Sequence, residues 1–372
     1  MFNFSMPFFT KVLFLFWTSL ISTSIIIYLF THFFKKIWLM DQPHKYPHEG
    51  KRAPIPYSIW VVLFINFALL SVLFLDLSYK KLIIMLVLWL IVTIVSFIDD
   101  LDTINRSIIK VHPIFRLLMQ IWIGAIIWIT SIKIWYVSNI FWWVLHLDKY
   151  FFQFLGLNIY IIPLIFTIIW YVLVFNSINW SDSIPWLTSW LVEIAFIIIL
   201  ILTIKLYFSD ISSLSRENSE FVLTMLTILI PSLFIFWCFD VQKKFLIRDS
   251  WTMFLGFMIA TLSIISGWKI ATVATVLGVY LIDAFYVVLM RLYTKKNPLK
   301  WDTIHHLHFR LGNMWFSKVF VRNLVYSLSF LFWIWAIFLD KIWKIIIFSI
   351  LVVIVIFITK ILNTKISLKN EK

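Results

Sequence analysis

Residues 81–95 read KLIIMLVLWLIVTIV, with no charge after the first position, and runs of this kind recur along the whole chain. Such runs allow few folds. A stretch of about 20 mostly apolar residues is what a helix needs to cross a bilayer. Inside the bilayer a backbone must satisfy its own hydrogen bonds, which a helix does and an open strand does not. Of the 372 residues, 62% are hydrophobic and only 13% are charged. Soluble domains are about 45–50% apolar and about 25% charged, so a water-soluble globule of this composition would lack the polar residues to cover itself. The expected fold class is all-α: a polytopic integral membrane protein, with residues 1–372 forming one transmembrane domain.

Eleven spans are expected, near residues 12–34, 57–75, 82–98, 114–132, 159–175, 187–206, 220–238, 251–266, 270–290, 321–339 and 342–363. The stretch 133–158 is aromatic but broken by charge. It reads as an excursion along the membrane surface, where Trp and Tyr are favoured. The first apolar run has no small-x-small cleavage pattern and reads as a retained helix. With the N-terminus outside and the C-terminus cytoplasmic, 22 of the 32 Lys and Arg residues fall on the cytoplasmic face. That is the asymmetry cytoplasmic loops show. It also accounts for the net charge of +14, so no nucleic-acid partner is expected. The single Cys238 excludes an intramolecular disulfide.

On this topology the polar clusters all lie on one side. They are DQPHKYPHEGKRAPIP (41–56), the loop after Asp99-Asp100, NSINWSDS (176–183), DVQKKFLIRDS (240–250) and KKNPLKWDTIHHLHFRLGN (295–313). A transporter usually places its ionisable groups within the spans. Here the spans hold few, chiefly Glu193 and Asp283. One-sided clustering fits a site at the membrane surface that joins a water-soluble substrate to a lipid-soluble one. Two adjacent carboxylates repel, so one stays protonated or a cation lies between them. Mg²⁺ is commonly held by one or two carboxylates plus substrate phosphates, while Lys and Arg hold phosphate oxygens. Asp99, Asp100 and Asp249, with Lys110, Arg116, Lys244 and Arg310, supply those parts for phosphoryl transfer. His305, His306 and His308 add donors for a phosphate or a nucleobase.

Each residue also has a plainer reading. Asp99-Asp100 could end a helix, Asp249 could pair with Arg248, and Asn176 and Asn179 could be turn residues. Lys244 and Arg310 could serve only the positive-inside bias. The histidines could ligate a metal, although a hard cation takes oxygen ligands. Asp283 could pair with Arg291 or Lys269, and Glu193 has no assigned role.

Taken in order, these residues resemble the polyprenyl-phosphate N-acetylhexosamine-1-phosphate transferases, a family that includes the phospho-MurNAc-pentapeptide translocase. The resemblance runs over roughly residues 41–317. Asp41, Pro43, His48, Pro54 and Pro56 fit a first motif, with Ser58-Ile59 where the pattern has Gly-Gly. Asp99-Asp100 fits the aspartate pair, followed by Arg116 to Gln120 as R-L-x-x-Q. Asn176, Asn179 and Asp182 fit N-A-x-N-x-x-D-G-x-D-G, whose second Asp is Pro185 and whose glycines are Ser183 and Trp186. Lys244, Asp249 and Gly256 fit P-A-K-x-F-x-G-D-x-G-S-x-x-x-G, with Arg248 and Trp251 at glycine positions. Asp283 and Arg291 precede Asn-Pro as in the family, and HLHFRL (306–311) resembles H-L-H-H-R-L.

The resemblance implies transfer of a sugar-1-phosphate from a UDP-N-acetylhexosamine to polyprenyl (undecaprenyl) phosphate, at the cytoplasmic membrane, to begin cell-envelope glycan synthesis. It implies Mg²⁺, with Mn²⁺ as a substitute, held by Asp99 and Asp249, and Asp100 acting beside them. It places Asn176, Asn179, Asp182, Arg116, Lys244, His305, His306, His308 and Arg310 against substrate, and leaves a homodimer open. Pro185 and the lost glycines keep a second reading in view, an inactive relative serving as a membrane binding or assembly subunit. A transporter is the third.

Overall fold

The computed structural model describes residues 7–42, 53–75, 79–107, 109–130, 132, 134, 136–138, 144–147, 149–154, 157–182, 186–209, 212–241, 251–266, 273–274, 277–297, 305–314, 316–339 and 341–370. Its helices are α1 (Phe8–Lys36), α2 (Val61–Phe74), α3 (Lys80–Thr103), α4 (Pro113–Ile129), α5 (Ile161–Ser181), α6 (Leu187–Ser209), α7 (Ser213–Val241) and α8 (Trp251–Ile265). They continue as α9 (Gly278–Tyr293), the short α10 (Leu307–Asn313), α11 (Lys318–Phe338) and α12 (Lys341–Asn370). Each expected span carries a helix. Five are long and apolar enough to cross a membrane: α1, α3, α5, α6 and Ser213–Phe239 within α7. The chain is a helical membrane protein. The described residues of the aromatic stretch 133–158 form two antiparallel ladders rather than a helix. β1 (Tyr136–Ser138) pairs with β2 (Val144–His146), and β3 (Phe151–Phe154) with β4 (Leu157–Tyr160).

The helix ends show how a chain with only 7 glycines turns its corners. Trp38, Asn105 and Lys295 follow α1, α3 and α9 with φ of 57°, 57° and 54°. In each case the residue's N–H returns to the carbonyl three back, and the next N–H to the carbonyl five back. After α3 these bonds are Asn105 N to Asp102 O (2.9 Å) and Arg106 N to Leu101 O (2.8 Å). This is the left-handed helix stop that glycine usually supplies. At the other end of a helix, Ser317 Oγ accepts from Phe320 N at 3.1 Å and caps α11. Pro113 opens α4, where its missing N–H costs nothing.

The chain forms two compact units. The first comprises Met1–His112 and Val192–Phe257, the second Pro113–Leu191 and Met258–Lys372. In the first unit α1 packs on α2 and α7, and α2 on α3. A polar knot ties α1, α2 and α7. Asn66 Nδ2 donates to Thr23 Oγ1 (2.8 Å) and Ser232 Oγ (3.0 Å), and Ser22 Oγ donates to Asn66 Oδ1 (2.6 Å). Asn66, Ser19, Thr23 and Ser232 are buried. Apolar burial alone gives membrane helices little reason to choose partners, so small and hydrogen-bonding residues decide the pairing. Trp89 packs against Phe67 edge-on and against Phe254 at a tilt, each with ring centroids 4.0 Å away.

In the second unit α4 lies close along α5. A Cβ on Gly124 would come within 3.0 Å of Ile168 Cα. Across α5, Tyr171 Oη and Thr261 Oγ1 of α8 are 2.6 Å apart, and Trp170 Nε1 donates to Ser263 Oγ at 3.2 Å. Helix α9 packs on α5, α11 and α12.

Candidate active site

Asp99 and Asp100 close the last turn but one of α3. Successive helical residues point about 100° apart, so the two carboxylates face different surroundings. Asp100 is buried and Asp99 half-buried. The Asp100 Oδ2 atom accepts from Ser58 Oγ at 2.6 Å and from Trp60 Nε1 at 2.7 Å. Asp41, of the first motif, is also buried. Its N–H donates to Ile55 O (3.0 Å), and its Oδ1 accepts from Ile55 N (2.7 Å). Gln42 Nε2 reaches Ile104 O at 2.9 Å. The first motif is thereby fastened to the end of α3 that carries the aspartate pair, all within the first unit.

The second unit gathers the third and fifth polar segments. The C-terminal end of α5 carries Asn176, Asn179 and Asp182. Asn176 spends both amide hydrogens on structure, donating to Gln120 Oε1 of α4 and to Val172 O, each at 2.7 Å. Asn179 is buried, and Asp182 is half-buried at the helix end with its N–H on Asn179 O at 3.3 Å. Between them Trp180 lies against His306, ring centroids 5.4 Å apart. The histidine segment therefore sits beside the third segment.

Asp283 of α9 organises the histidine segment. Its Oδ2 is 2.8 Å from His306 Nδ1, its Oδ1 accepts from Leu307 N at 2.8 Å, and Arg310 Nη2 is 3.9 Å away. Arg310 is held in turn by Thr359 Oγ1 at 3.1 Å and by the Tyr286 ring, 4.7 Å below its guanidinium. The His308 ring stacks on His306 at 5.4 Å. It is buried, and neither ring nitrogen has a hydrogen-bond partner among the described residues. Burial pushes the His308 imidazole down to about 4; Asp283 works against this shift, while His306 and Arg310 add to it. His308 is therefore neutral at pH 7. The buried Tyr280 hydroxyl has no hydrogen-bond partner among the described residues and lies within electrostatic reach of Asp182 and Asp283. His305 is half-buried beside this group.

Arg116 is half-buried in the first turn of α4. Lys244 and Asp249 lie outside the described residues. Among the described residues, no three His, Cys, Asp or Glu side chains are grouped to hold a metal. The donor set still suits a hard cation whose remaining ligands come from substrate phosphates, because one or two carboxylate oxygens are enough for that. The half-buried Asp99 can offer one.

The sequence points to two organising residues only indirectly. Gln120 stands in it as the last residue of R-L-x-x-Q, and its link to Asn176 needs the α4–α5 pairing. Asp283 has Arg291 and Lys269 as its charged neighbours in sequence. Arg291 Nη1 donates to Asn297 O at 2.8 Å, and Lys269 lies outside the described residues. The signal that could have found the Asp283 partner was the histidine segment itself, which brings a donor to a carboxylate placed in an apolar helix.

Residues 82–267, half of the chain, match the family model of glycosyl transferase family 4. The matched stretch includes Asp99, Asp100, Asn176, Asn179, Asp182, Lys244 and Asp249, and it stops before the histidine segment. Over 183 residues the chain is 26% identical to a Bacillus subtilis (strain 168) protein described as a probable undecaprenyl-phosphate N-acetylglucosaminyl 1-phosphate transferase. That alignment covers 47% of this chain and 48% of the relative, so the chain spans about half the length of the curated relative it matches.

Proposed function

The chain belongs to glycosyl transferase family 4, and from that premise we propose that it transfers a sugar-1-phosphate from a UDP-N-acetylhexosamine to polyprenyl phosphate. The observation that carries this reading is the ordered set of carboxylates and amides within the matched stretch, from Asp99 to Asp249. The name of the Bacillus subtilis relative supports the lipid acceptor.

In this reaction a phosphate oxygen of the lipid attacks the β-phosphorus of the donor. The bond from that phosphorus to the bridging oxygen breaks, and UMP leaves with the oxygen and its electron pair. The lipid phosphate is already anionic, so no strong base is required. Asp99 and Asp249 would hold Mg²⁺, which neutralises charge on the transferring group when bound. Asn179, Asp182, Arg116 and Lys244 would orient phosphates and sugar. His305, His306, His308 and Arg310 would contact the nucleotide or sugar, with His308 as a neutral hydrogen-bonding ring. The topology would be eleven spans with the N-terminus outside, in the cytoplasmic membrane, as a monomer or homodimer. The product would begin a cell-envelope glycan.

A second reading, an inactive binding subunit, draws on Trp186, which stands where the family pattern has glycine. Its backbone nevertheless has φ of 70°, as a glycine there could adopt. Its carbonyl accepts from Tyr326 Oη at 2.6 Å, and Arg322 lies 4.8 Å over its ring. Trp186 thus takes a conformation open to glycine, which supports the active reading; Ser183 and Pro185 lie outside the described residues. The test is to incubate membranes containing the protein with undecaprenyl phosphate, Mg²⁺ and labelled UDP-N-acetylhexosamines. UMP release by wild type and none by Asp99→Asn is the expected result; equal release by both contradicts it.

A further inference from the structure

We infer that Ser58 is a positioning residue: with Trp60 it holds Oδ2 of Asp100, a structural rather than a metal-binding use of that oxygen, and so sets the end of α3 that carries the aspartate pair. The inference rests on the transferase reading above. Ser58 has φ of 59°, a left-handed conformation that is costly for a residue with a Cβ and free of that cost for glycine. The family pattern has glycine at this position. The serine keeps the strained backbone and adds a hydroxyl, and that hydroxyl is 2.6 Å from Asp100 Oδ2. Trp60 Nε1 donates to the same oxygen at 2.7 Å. Both are hydrogen bonds to a carboxylate, the stronger kind, and together they occupy the lone pairs of Oδ2. Ser58 and Trp60 are 0% exposed and Asp100 is 3% exposed. That oxygen is therefore closed to a cation and to a phosphate proton. Asp99, one position earlier on α3, is half-buried and turned about 100° away. The two aspartates are adjacent in sequence but differ in burial. Asp100 fixes segment 53–60 against the end of α3, and Ser58 acts only through Asp100.

The test uses the full chain in detergent micelles or nanodiscs. Ser58→Gly suits the left-handed backbone and removes the hydroxymethyl group, so relief of the Cβ strain offsets the lost hydrogen bond and the variant is expected to fold. Its kcat should fall roughly tenfold, with the KM for donor unchanged. Asp100→Asn should behave alike, and the double variant should be no worse than the weaker single, because both remove one interaction. Mn²⁺ binding, read by electron paramagnetic resonance without substrate, should be lost in Asp99→Asn and kept within about twofold in Ser58→Gly and Asp100→Asn.

Full turnover by Ser58→Gly, multiplying losses in the double variant, or loss of Mn²⁺ in Asp100→Asn would each overturn the inference. A wild type that neither labels lipid nor binds Mn²⁺ contradicts the transferase reading itself. In that case unfolding midpoints still decide the clamp. Ser58→Ala and Asp100→Asn should then be non-additive, and additive losses would overturn it.

Discussion

Asp283 lies within an apolar helix, yet both of its oxygens are used, by His306 and by the Leu307 N–H. Removing a buried acceptor leaves each of its partners without that hydrogen bond, at a cost of about 1–3 kcal/mol for each. Asp283→Ala should therefore lower the unfolding midpoint sharply. Asp283→Asn should lower it less, since its amide oxygen can still accept from Leu307 N. Equal midpoints for Asp283→Ala and wild type would rule the clamp out. His308 makes a second prediction. Its folded value of about 4 lies below the ordinary 6.5, so between those values the unfolded chain takes up the proton more readily. The stabilising effect of a neutral His308 is complete above about pH 6.5 and is lost as pH falls toward 4. His308→Phe, which leaves no ring nitrogen unpartnered, should flatten that part of the midpoint-against-pH curve and hold stability at pH 7. An unchanged curve would mean that the ring is already paired. The sequence displayed these residues as candidates but not their partners. A histidine stretch does not say which ring faces a carboxylate. A serine in a glycine position does not say whether the backbone keeps the glycine conformation; that needs φ.

At the scale of elements, apolar runs and their polar breaks located a helix at each expected position, five of them long and apolar enough to cross a membrane. What could not be read was how helices stop in a chain so poor in glycine. The answer is left-handed caps at Trp38, Asn105 and Lys295; Asn is a known substitute for glycine there, but Trp and Lys carry no signal for that conformation. Lys295→Gly should raise the unfolding midpoint, worth roughly 1 kcal/mol, because glycine pays no Cβ penalty there. A fall would mean that the lysine side chain has a role the backbone does not show. Helix pairing was equally hidden. Gly124 gave no signal in sequence, but α4 approaches α5 there so closely that a Cβ meets the Ile168 backbone. Gly124→Val should force the two helices apart at a cost of about 1–3 kcal/mol, and disturb Asn176 through Gln120. The measurement is the unfolding midpoint beside the KM for donor; a shift in neither would separate the α4–α5 contact from the site. The ladders at 136–160 escaped because their alternation is only three or four residues long.

At the scale of the whole molecule, the chain is an apolar helical membrane protein of glycosyl transferase family 4. On the proposed topology its polar clusters would share one membrane surface, where a nucleotide in water could meet a phosphate on a lipid. The central claim is that sugar and phosphorus move together. The most direct measurement supplies UDP-N-acetylglucosamine labelled with ¹⁴C in the sugar and ³²P at the β-phosphorus, with undecaprenyl phosphate and Mg²⁺, and counts both labels in the lipid extract. Both labels should reach the lipid in the donor's own ratio, and neither should with Asp99→Asn. Sugar arriving without phosphorus would contradict it.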